Sequence, residues 1–359
     1  MYSTLRPLLF RLEPERAHRL TLRLLRLMAA VPPAKWAVEQ FLRGPDRPVS
    51  VFGLDFRNPV GLAAGYDKDG TSIHGLDALG FGHIEIGTVT PLPQPGNPSP
   101  RLFRLPEDEA LINRLGFPSR GTEFMQFRLK PALMPGLLER VMGIPTRRSK
   151  RRRQPLAAKL GVNLGKNKST PNEQAVYDYL SLLQNFAPLA DYLTVNVSSP
   201  NTEGLRRLQG RAELEALLSE LHKQRLIEQK DLERRVPLLV KLAPDLTPQE
   251  LDDALAAVVA MGMDGVIVVN TTLSRPGLRS PRASEQGGLS GRPLASQSES
   301  VLRQALRTLD GRLPVISVGG ILSAEDAKRR LDMGAALIQL YTGLVYRGPG
   351  LVKEILRGL

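Results

Sequence analysis

Two lysines, five asparagines and a few hydroxyls are the residues whose types could do chemistry together. They are Lys68 and Lys241, then Asn113, Asn163, Asn196, Asn201 and Asn270, and finally Thr88, Ser199, Thr202 and Thr271. Each amide offers donors and an acceptor, so a site rich in them suits a planar ligand with alternating donors and acceptors, such as a pyrimidine or flavin ring. The lysines suit a carboxylate and negative charge developing on a reduced ring. Other chemistries lack their parts. The chain has no Cys and only 4 His, which do not cluster. Disulfides, thiolate nucleophiles, iron–sulfur sites and metal catalysis are therefore unsupported, and no metal ligands are assigned. No paired carboxylates speak for glycoside-type acid–base work.

Two glycine-rich stretches add a second theme. Ile316-Ser317-Val318-Gly319-Gly320-Ile321 precedes a helix start marked by Ser323 and Glu325, and Gly287-Gly288-Leu289-Ser290-Gly291 offers a flexible backbone for close approach. Either alone reads equally as a structural turn. Together, at the ends of neighbouring strands, they favour a phosphate held by a loop with a helix N-terminus behind it.

The elements that must position these groups follow from periodicity. Short apolar, β-branched runs alternate with helical stretches from residue 59 onward. The predicted strands are Val60–Ala64, Ile84–Thr88, Leu156–Val162, Tyr192–Val197, Leu238–Leu242, Val266–Val269, Val315–Val318 and Leu337–Leu340. Predicted helices include Asn172–Phe186, Ala212–Gln229, Pro248–Ala260, Ser296–Thr308 and Ala324–Asp332. This pattern predicts an α/β fold, a (β/α)8 barrel over residues 44–359, with Val51–Phe56 as a small extra hairpin strand. Nearly every strand ends in a polar or glycine-rich group: Ala64-Gly65-Tyr66-Asp67-Lys68, Gly87-Thr88, Asn163, Asn196, Asn270-Thr271, Gly319-Gly320 and Tyr341-Thr342-Gly343, with Lys241 inside the fifth. Active sites of such barrels sit at the C-terminal strand ends.

Residues 1–43 stand apart as a helical extension. Glu13-Pro14-Glu15 opens a helix, Val31-Pro32-Pro33 breaks it, and a second helix is predicted at Ala34–Leu42. Ala17, Leu20, Leu24 and Leu27 share one face, and Arg16, Arg19, Arg23 and Arg26 an adjacent one. Periodicity favours packing of this pair on the main domain over a basic amphipathic pair lying on a membrane. No stretch approaches the length of a membrane-spanning helix, and no secretory signal is recognisable.

The net charge of +13 favours anionic partners. Part of it is local, in the run Arg147 to Arg153, which reads as a solvated loop or a contact for anionic lipid. Nucleic acid is not expected as a partner, because no aromatic interleaving or recognised motif accompanies the charge.

Over nearly its whole length the chain resembles the class 2, quinone-dependent dihydroorotate dehydrogenases. The matching runs are Gly-Leu-Ala-Ala-Gly-Tyr-Asp-Lys-Asp-Gly at 61–70, Glu-Ile-Gly-Thr-Val-Thr at 85–90, Pro-Arg-Leu-Phe-Arg-Leu at 100–105 and Ile-Asn-Arg-Leu-Gly-Phe at 112–117. Gly-Lys-Asn-Lys at 165–168, Asn-Val-Ser-Ser-Pro-Asn-Thr at 196–202, Val-Lys-Leu-Ala-Pro-Asp at 240–245, Asn-Thr-Thr-Leu at 270–273 and Gly-Gly-Leu-Ser-Gly-Arg-Pro at 287–293 follow in order. Glu-Pro-Glu-Arg-Ala-His at 13–18 is similar to the helical extension of that class.

The resemblance implies FMN as cofactor, dihydroorotate as substrate, orotate as product, and a membrane quinone as final acceptor. It implies peripheral association with the cytoplasmic face of the cell membrane. Ser199 then matches the catalytic base, with Thr202 and a buried water as its relay. Lys68 would pair with the substrate carboxylate. Asn113, Arg114, Leu115, Gly116 and Phe117, with Asn196, Asn201, Asn270 and Thr271, would hold the pyrimidine. Ala64, Gly65, Tyr66, Asp67, Lys68, Thr88, Asn163, Asn196, Lys241 and Val269 would contact FMN, and Gly291, Gly320, Tyr341 and Thr342 would surround its phosphate. His18 and Arg104, with Tyr341, would line a quinone tunnel.

Two positions depart from the family pattern. Pro118 stands where Asn is usual, and Val269 where Thr is common, so a hydroxyl contact to the flavin gives way to backbone contact. A rival flavin barrel, the tRNA-dihydrouridine synthase, would explain the basic surface. That family and the class 1 dihydroorotate dehydrogenases both use a Cys in catalysis, and this chain has none. A non-catalytic adaptor built on an old barrel would have no need of the complete set of Ser199, Lys68, Lys241 and amides.

Overall fold

Short apolar runs separated by amphipathic helices close on themselves. The computed structural model describes residues 2–130 and 156–359. The chain begins with α1 (Tyr2–Arg11), α2 (Pro14–Ala30) and α3 (Pro32–Leu42), then an antiparallel hairpin, β1 (Val49–Val51) and β2 (Leu54–Phe56). β3 (Val60–Leu62), β4 (His83–Val89), β5 (Leu102–Leu105) and β6 (Ala110–Asn113) come next, followed by β7 (Lys159–Leu164), β8 (Tyr192–Asn196) and β9 (Leu238–Leu242). β10 (Gly265–Val268), β11 (Gly288–Gly291), β12 (Val315–Val318) and β13 (Leu337–Leu340) complete the strands. A closed barrel runs β3-β4-β7-β8-β9-β10-β12-β13 and back to β3. Every pairing in it is parallel, as the predicted (β/α)8 architecture requires.

Strand alternation sorts the side chains into two cores. Ile84, Ile86, Val162, Leu193, Val195, Val240, Leu242 and Ile338 point outward into the core shared with the helices. Tyr192, Leu239, Ile267, Ile316 and Leu337 point inward, where Val51 and Phe56 of the hairpin close the lower end. The inward positions nearer the C-terminal ends are polar instead: Glu85, Asn163, Thr194, Asn196, Lys241 and Gln339, all buried. The lower interior is so tightly filled that a Cβ on Gly161 would come within 2.2 Å of the Tyr192 ring.

Helices predicted between the strands form with small changes at their ends, as Ala175–Phe186, Arg211–Leu232, Pro248–Ala260, Ala295–Leu309 and Ala324–Asp332. Pro248–Ala260 opens on a capping box in which Thr247 and Glu250 bond each other's backbone N–H.

Several expectations are corrected. The strand predicted at Leu156–Val162 begins at Lys159 and runs through Leu164, because the Asp77 carboxylate takes the Ala157 and Ala158 N–H groups before pairing starts. Gly287–Gly291, read as a flexible loop, is largely strand β11, which pairs with β6 as β6 pairs with β5 in a separate three-stranded antiparallel sheet. The extension holds a third helix, because Glu13 caps α2 by accepting from the N–H groups of Glu15 and Arg16 and so ends α1 at Arg11. The basic run Arg147 to Arg153 lies outside the described residues.

Candidate active site

The polar strand ends converge on one cleft of about 990 Å³ at the C-terminal mouth of the barrel. Lys241 lies in it, on β9 beside Asn196 of β8. The segment after β8 brings Ser199 and Asn201, the segment after β10 brings Val269, Asn270 and Thr271, and the segment after β3 brings Ala64, Gly65 and Lys68. The antiparallel sheet supplies the far wall. Asn113 at the end of β6 is paired with Gly288 of β11, and Gly291 is at that strand's other end. Leu115, Gly116, Phe117 and Pro118 follow Asn113 into the lining.

The amides of the cleft are held by one another and by neighbouring serines. Asn201 Nδ2 donates to Asn113 Oδ1 at 3.2 Å, and the Asn201 N–H donates to Ser199 Oγ at 3.2 Å. Asn270 Nδ2 donates to Ser198 Oγ at 2.9 Å. Lys68 Nζ donates to the Gly65 carbonyl at 2.7 Å, and burial holds its pKa down at about 8 although Glu15 attracts the charged form. Burial also lowers the pKa of Lys241, and the Glu85 carboxylate works against that shift.

At another part of the cleft Gly291, Gly319, Gly320, Thr342 and Gly343 come together, with Ser290 Oγ and Thr342 Oγ1 2.8 Å apart. Gly320 has φ +73°, and a Cβ there would lie 2.4 Å from Ala295 Cα, so only Gly lets this loop pack on the start of helix Ala295–Leu309. The closely apposed backbone and hydroxyls suit a phosphate.

The residues present fit a flavin mononucleotide. Gln339 lines the cleft with a buried Oε1 that has no hydrogen-bond partner, an acceptor suited to a ring or ribityl donor. Lys241 offers a buried cation for negative charge on the ring, and the glycine loops offer donors for the phosphate. Val269 has its N–H donated to the Val318 carbonyl, so its own carbonyl is the backbone group left for a ligand.

Not every residue expected at a ligand lines this cleft. Asn163 lies beneath it, bonded to Thr88, Asn196 and Glu85. Asp67 ties down the following turn through the N–H groups of Thr71 and Ser72. Arg114 pairs with Glu285 at 2.9 Å and stacks over Phe103. Thr202 is buried outside the cleft lining, and its carbonyl accepts from the Leu205 N–H. Tyr66 faces a different cavity. Sequence reading in turn passed over Glu85 and Gln339 as site residues. The signal was present, since a charge between Ile84 and Ile86 in a strand that alternates must point into the barrel.

That second cavity, about 870 Å³, lies between the N-terminal helices and the barrel. Leu9, Phe10, Ala17, Leu25, Leu344 and Val345 make it mostly apolar, and His18, Arg104 and Tyr341 line it as well. Tyr341 borders both cavities. The His18 ring meets Tyr66 edge-on at 5.0 Å, and Tyr66 meets Tyr341 at 5.8 Å. Burial, with repulsion from Lys68, drives the His18 pKa to about 3, so this imidazole is neutral. The extension is anchored by the Arg101–Glu15 ion pair at 2.8 Å and by Arg104 NH1 donating to the Phe10 and Leu12 carbonyls.

The chain has similar relatives among known proteins. The dihydroorotate dehydrogenase family model matches residues 48–359. The dihydroorotate dehydrogenase (quinone) of Idiomarina loihiensis is 46% identical over 359 residues, covering 100% of both chains. That of Halorhodospira halophila is 48% identical, covering 99% of this chain and 97% of its own. Among solved structures, DHODH from Eimeria tenella in complex with ferulenol is 36% identical, with a TM-score of 0.79 over 96% of this chain and 90% of that one. A barrel whose mouth gathers a serine, two lysines and a ring of amides, matched along its length by such relatives, is that of a member of the dihydroorotate dehydrogenase family.

Proposed function

We propose that this chain oxidises (S)-dihydroorotate to orotate in de novo pyrimidine biosynthesis, with FMN as hydride acceptor and a quinone as final electron acceptor. The observation that carries the reading is the convergence of Ser199, Lys68, Asn113, Asn196, Asn201 and Asn270 on one cleft, with Tyr341 shared between it and an apolar cavity. The family is flavin-dependent, and the glycine and Thr342 cradle supports the mononucleotide in particular. When bound, FMN accepts the hydride that leaves C6 of the substrate.

The chain's own residues do the rest. Ser199 removes the C5 proton, and Thr202 with a water behind it carries the proton away, because a neutral hydroxyl is a poor base without an acceptor. Lys68 pairs with the substrate carboxylate while the amides fix the ring, which sets C5 against Ser199. Lys241 offsets negative charge on the reduced ring. Thr88 and Asn196 support the cofactor, directly backed by Asn163.

Residues 1–43 form the quinone-access part and residues 44–359 the catalytic part. The extension packs on the barrel through Leu22, Leu25, Val38 and Leu42, yet Leu20, Leu24, Leu27, Trp36 and Phe41 face outward, with Trp36 64% and Phe41 68% exposed. Arg16, Arg19, Arg23 and Arg26 flank them. This outward apolar surface with a basic border supports peripheral association with the cytoplasmic face of the membrane, beyond the packing that periodicity favoured. No helix of the described residues is long and apolar enough to cross a membrane.

The test is a steady-state assay with dihydroorotate and alternative acceptors. Quinone analogues should turn over, and fumarate and NAD should not. A protein that purifies without flavin, or that prefers fumarate or NAD, overturns the proposal.

A further inference from the structure

The largest wholly buried side chain among the described residues belongs to a cation, Arg330 of helix Ala324–Asp332. It is outside the lining of both cavities. A guanidinium donates and never accepts, so its partners show what it orients. NH2 donates to the Gly319 carbonyl at 3.0 Å and to the Ala295 carbonyl at 2.9 Å, and NH1 donates to Ser298 Oγ at 2.8 Å. Glu299 Oε1 is 3.3 Å from Nε. Burial lowers the pKa of Arg330 to about 10, which leaves it charged at neutral pH. Arg330 thus ties the loop after β12 to the first turn of helix Ala295–Leu309, the two elements that meet at Gly320.

The bond to Gly319 bears on the cleft. In a trans peptide the C=O and the N–H point opposite ways. The Gly319 carbonyl is turned back to Arg330, so the Gly320 N–H is turned toward the cleft that both glycines line. Other groups fix the backbone nearby. The Val318 carbonyl accepts from the Val269 N–H at 3.2 Å and from Ser298 Oγ at 2.7 Å, and the Leu322 N–H donates to Asp326 at 2.9 Å. The Gly319–Gly320 peptide is different, because no side chain stands on either side of it. It can turn over at small steric cost, taking φ of Gly320 from +73° into the negative region. Turned over, it would present a carbonyl oxygen where an anion is to bind.

We propose that Arg330 is a positioning residue that holds this peptide with its N–H toward the flavin phosphate, and so sets the preference of the site for the phosphorylated flavin over riboflavin. It acts from behind the loop, through Gly319. Without it the Gly319 carbonyl loses a charged donor, and the penalty for turning into the cleft disappears. The expected defect is therefore confined to the phosphate end of the cofactor. This inference rests on the glycine loops being the phosphate site of the flavin.

The test is flavin exchange on the holoenzyme. The protein is equilibrated with FMN and an excess of riboflavin, freed of unbound flavin, and the two bound flavins are separated and quantified. Their ratio gives the preference for the phosphorylated form, and a general loosening of the fold, which weakens both flavins alike, does not move it. Arg330→Met, similar in length and without donors, is expected to lower that preference about tenfold or more. Arg330→Lys keeps a charged donor but lacks the planar fork that reaches Gly319 and helix Ala295–Leu309 together, and about a threefold loss or more is expected. Should Arg330→Met fail to fold, Arg330→Lys decides the matter. The positioning role is overturned if Arg330→Met, or Arg330→Lys in its place, keeps the preference within about twofold of the unaltered chain. An unaltered holoenzyme that takes riboflavin as readily as FMN instead overturns the reading of the glycine loops as the phosphate site.

Discussion

At the scale of the residue, Ser199 and Lys68 make the sharpest claims. Removing a positioned base slows proton transfer by about a hundredfold to ten-thousandfold. Ser199→Ala is expected to reduce the rate of flavin reduction by dihydroorotate in that range while orotate binding changes little. Stopped-flow absorbance under anaerobic conditions measures it, and an unchanged rate removes Ser199 from the mechanism. Lys68 carries a pH dependence. Burial lowers its pKa from 10.5 to about 8 in the ligand-free protein, so the ammonium that should hold the substrate carboxylate is lost as pH rises through that value. Orotate affinity should be full below about pH 8 and decline above it, and Lys68→Met should bind weakly with no such decline. The effect on folding has the opposite sense. Between about pH 8 and 10.5 the unfolded chain keeps a proton that the folded chain has released, so the cost of burying this charge shrinks as pH rises. Ser199 and Lys68 could be named from the sequence because each sits in a long, specific run of residues. The hydrogen bonds of Glu85 and Gln339 could not, because both have their partners on other strands, such as Asn163, which is 78 positions away from Glu85.

At the scale of the element, the antiparallel sheet and the helical extension do what the barrel alone does not. The sheet carries Asn113 and Gly291 over the mouth, through strands of four residues each that a period-two pattern barely registers. Its pairing of β6 with β11 joins residues about 175 apart, which no local signal announces. Helix α2 sets the apolar cavity. Ala17 is its one buried residue and lines that cavity, so the methyl there is what leaves room. Ala17→Trp should therefore obstruct the space, and reduction of a quinone analogue should drop at least tenfold while flavin reduction by dihydroorotate stays near its original rate. Equal loss of both half-reactions, or of neither, would disconnect the cavity from the quinone. The amphipathic face of α2 was evident from spacing, but its direction was not. Spacing finds a stripe, and only the docked helix shows that Leu22 and Leu25 pack against the core while Leu24 and Leu27 face out.

At the scale of the whole molecule, a closed barrel couples a tightly packed lower interior to a polar upper one. Phe56 of the small hairpin is 1% exposed and meets His83 edge-on at 5.6 Å, sealing the lower end. Phe56→Ala should cost about 3–5 kcal/mol, seen as a lower urea midpoint with an unchanged slope, while orotate binding by the folded fraction is preserved. A loss under 1 kcal/mol would show that the hairpin is not part of the core. Length, the alternation of strand and helix patterns, and polar residues at strand ends already determined the barrel and the neighbourhood of its site. These are local properties, since a strand's period and the groups at its end are written in consecutive residues. Absence of Cys, likewise a property of the sequence alone, set aside the flavin-barrel families that use a Cys in catalysis. The tertiary structure decided which of those polar residues share the cleft and which stand behind it. It placed Arg114 on Glu285, Asp67 on its own turn and Asn163 below the floor. It also brought Glu85 under the amides and opened an apolar cavity beside Tyr341. Burial, hydrogen-bond direction and cavities arise from groups far apart in the chain, and they come into being only when the barrel closes.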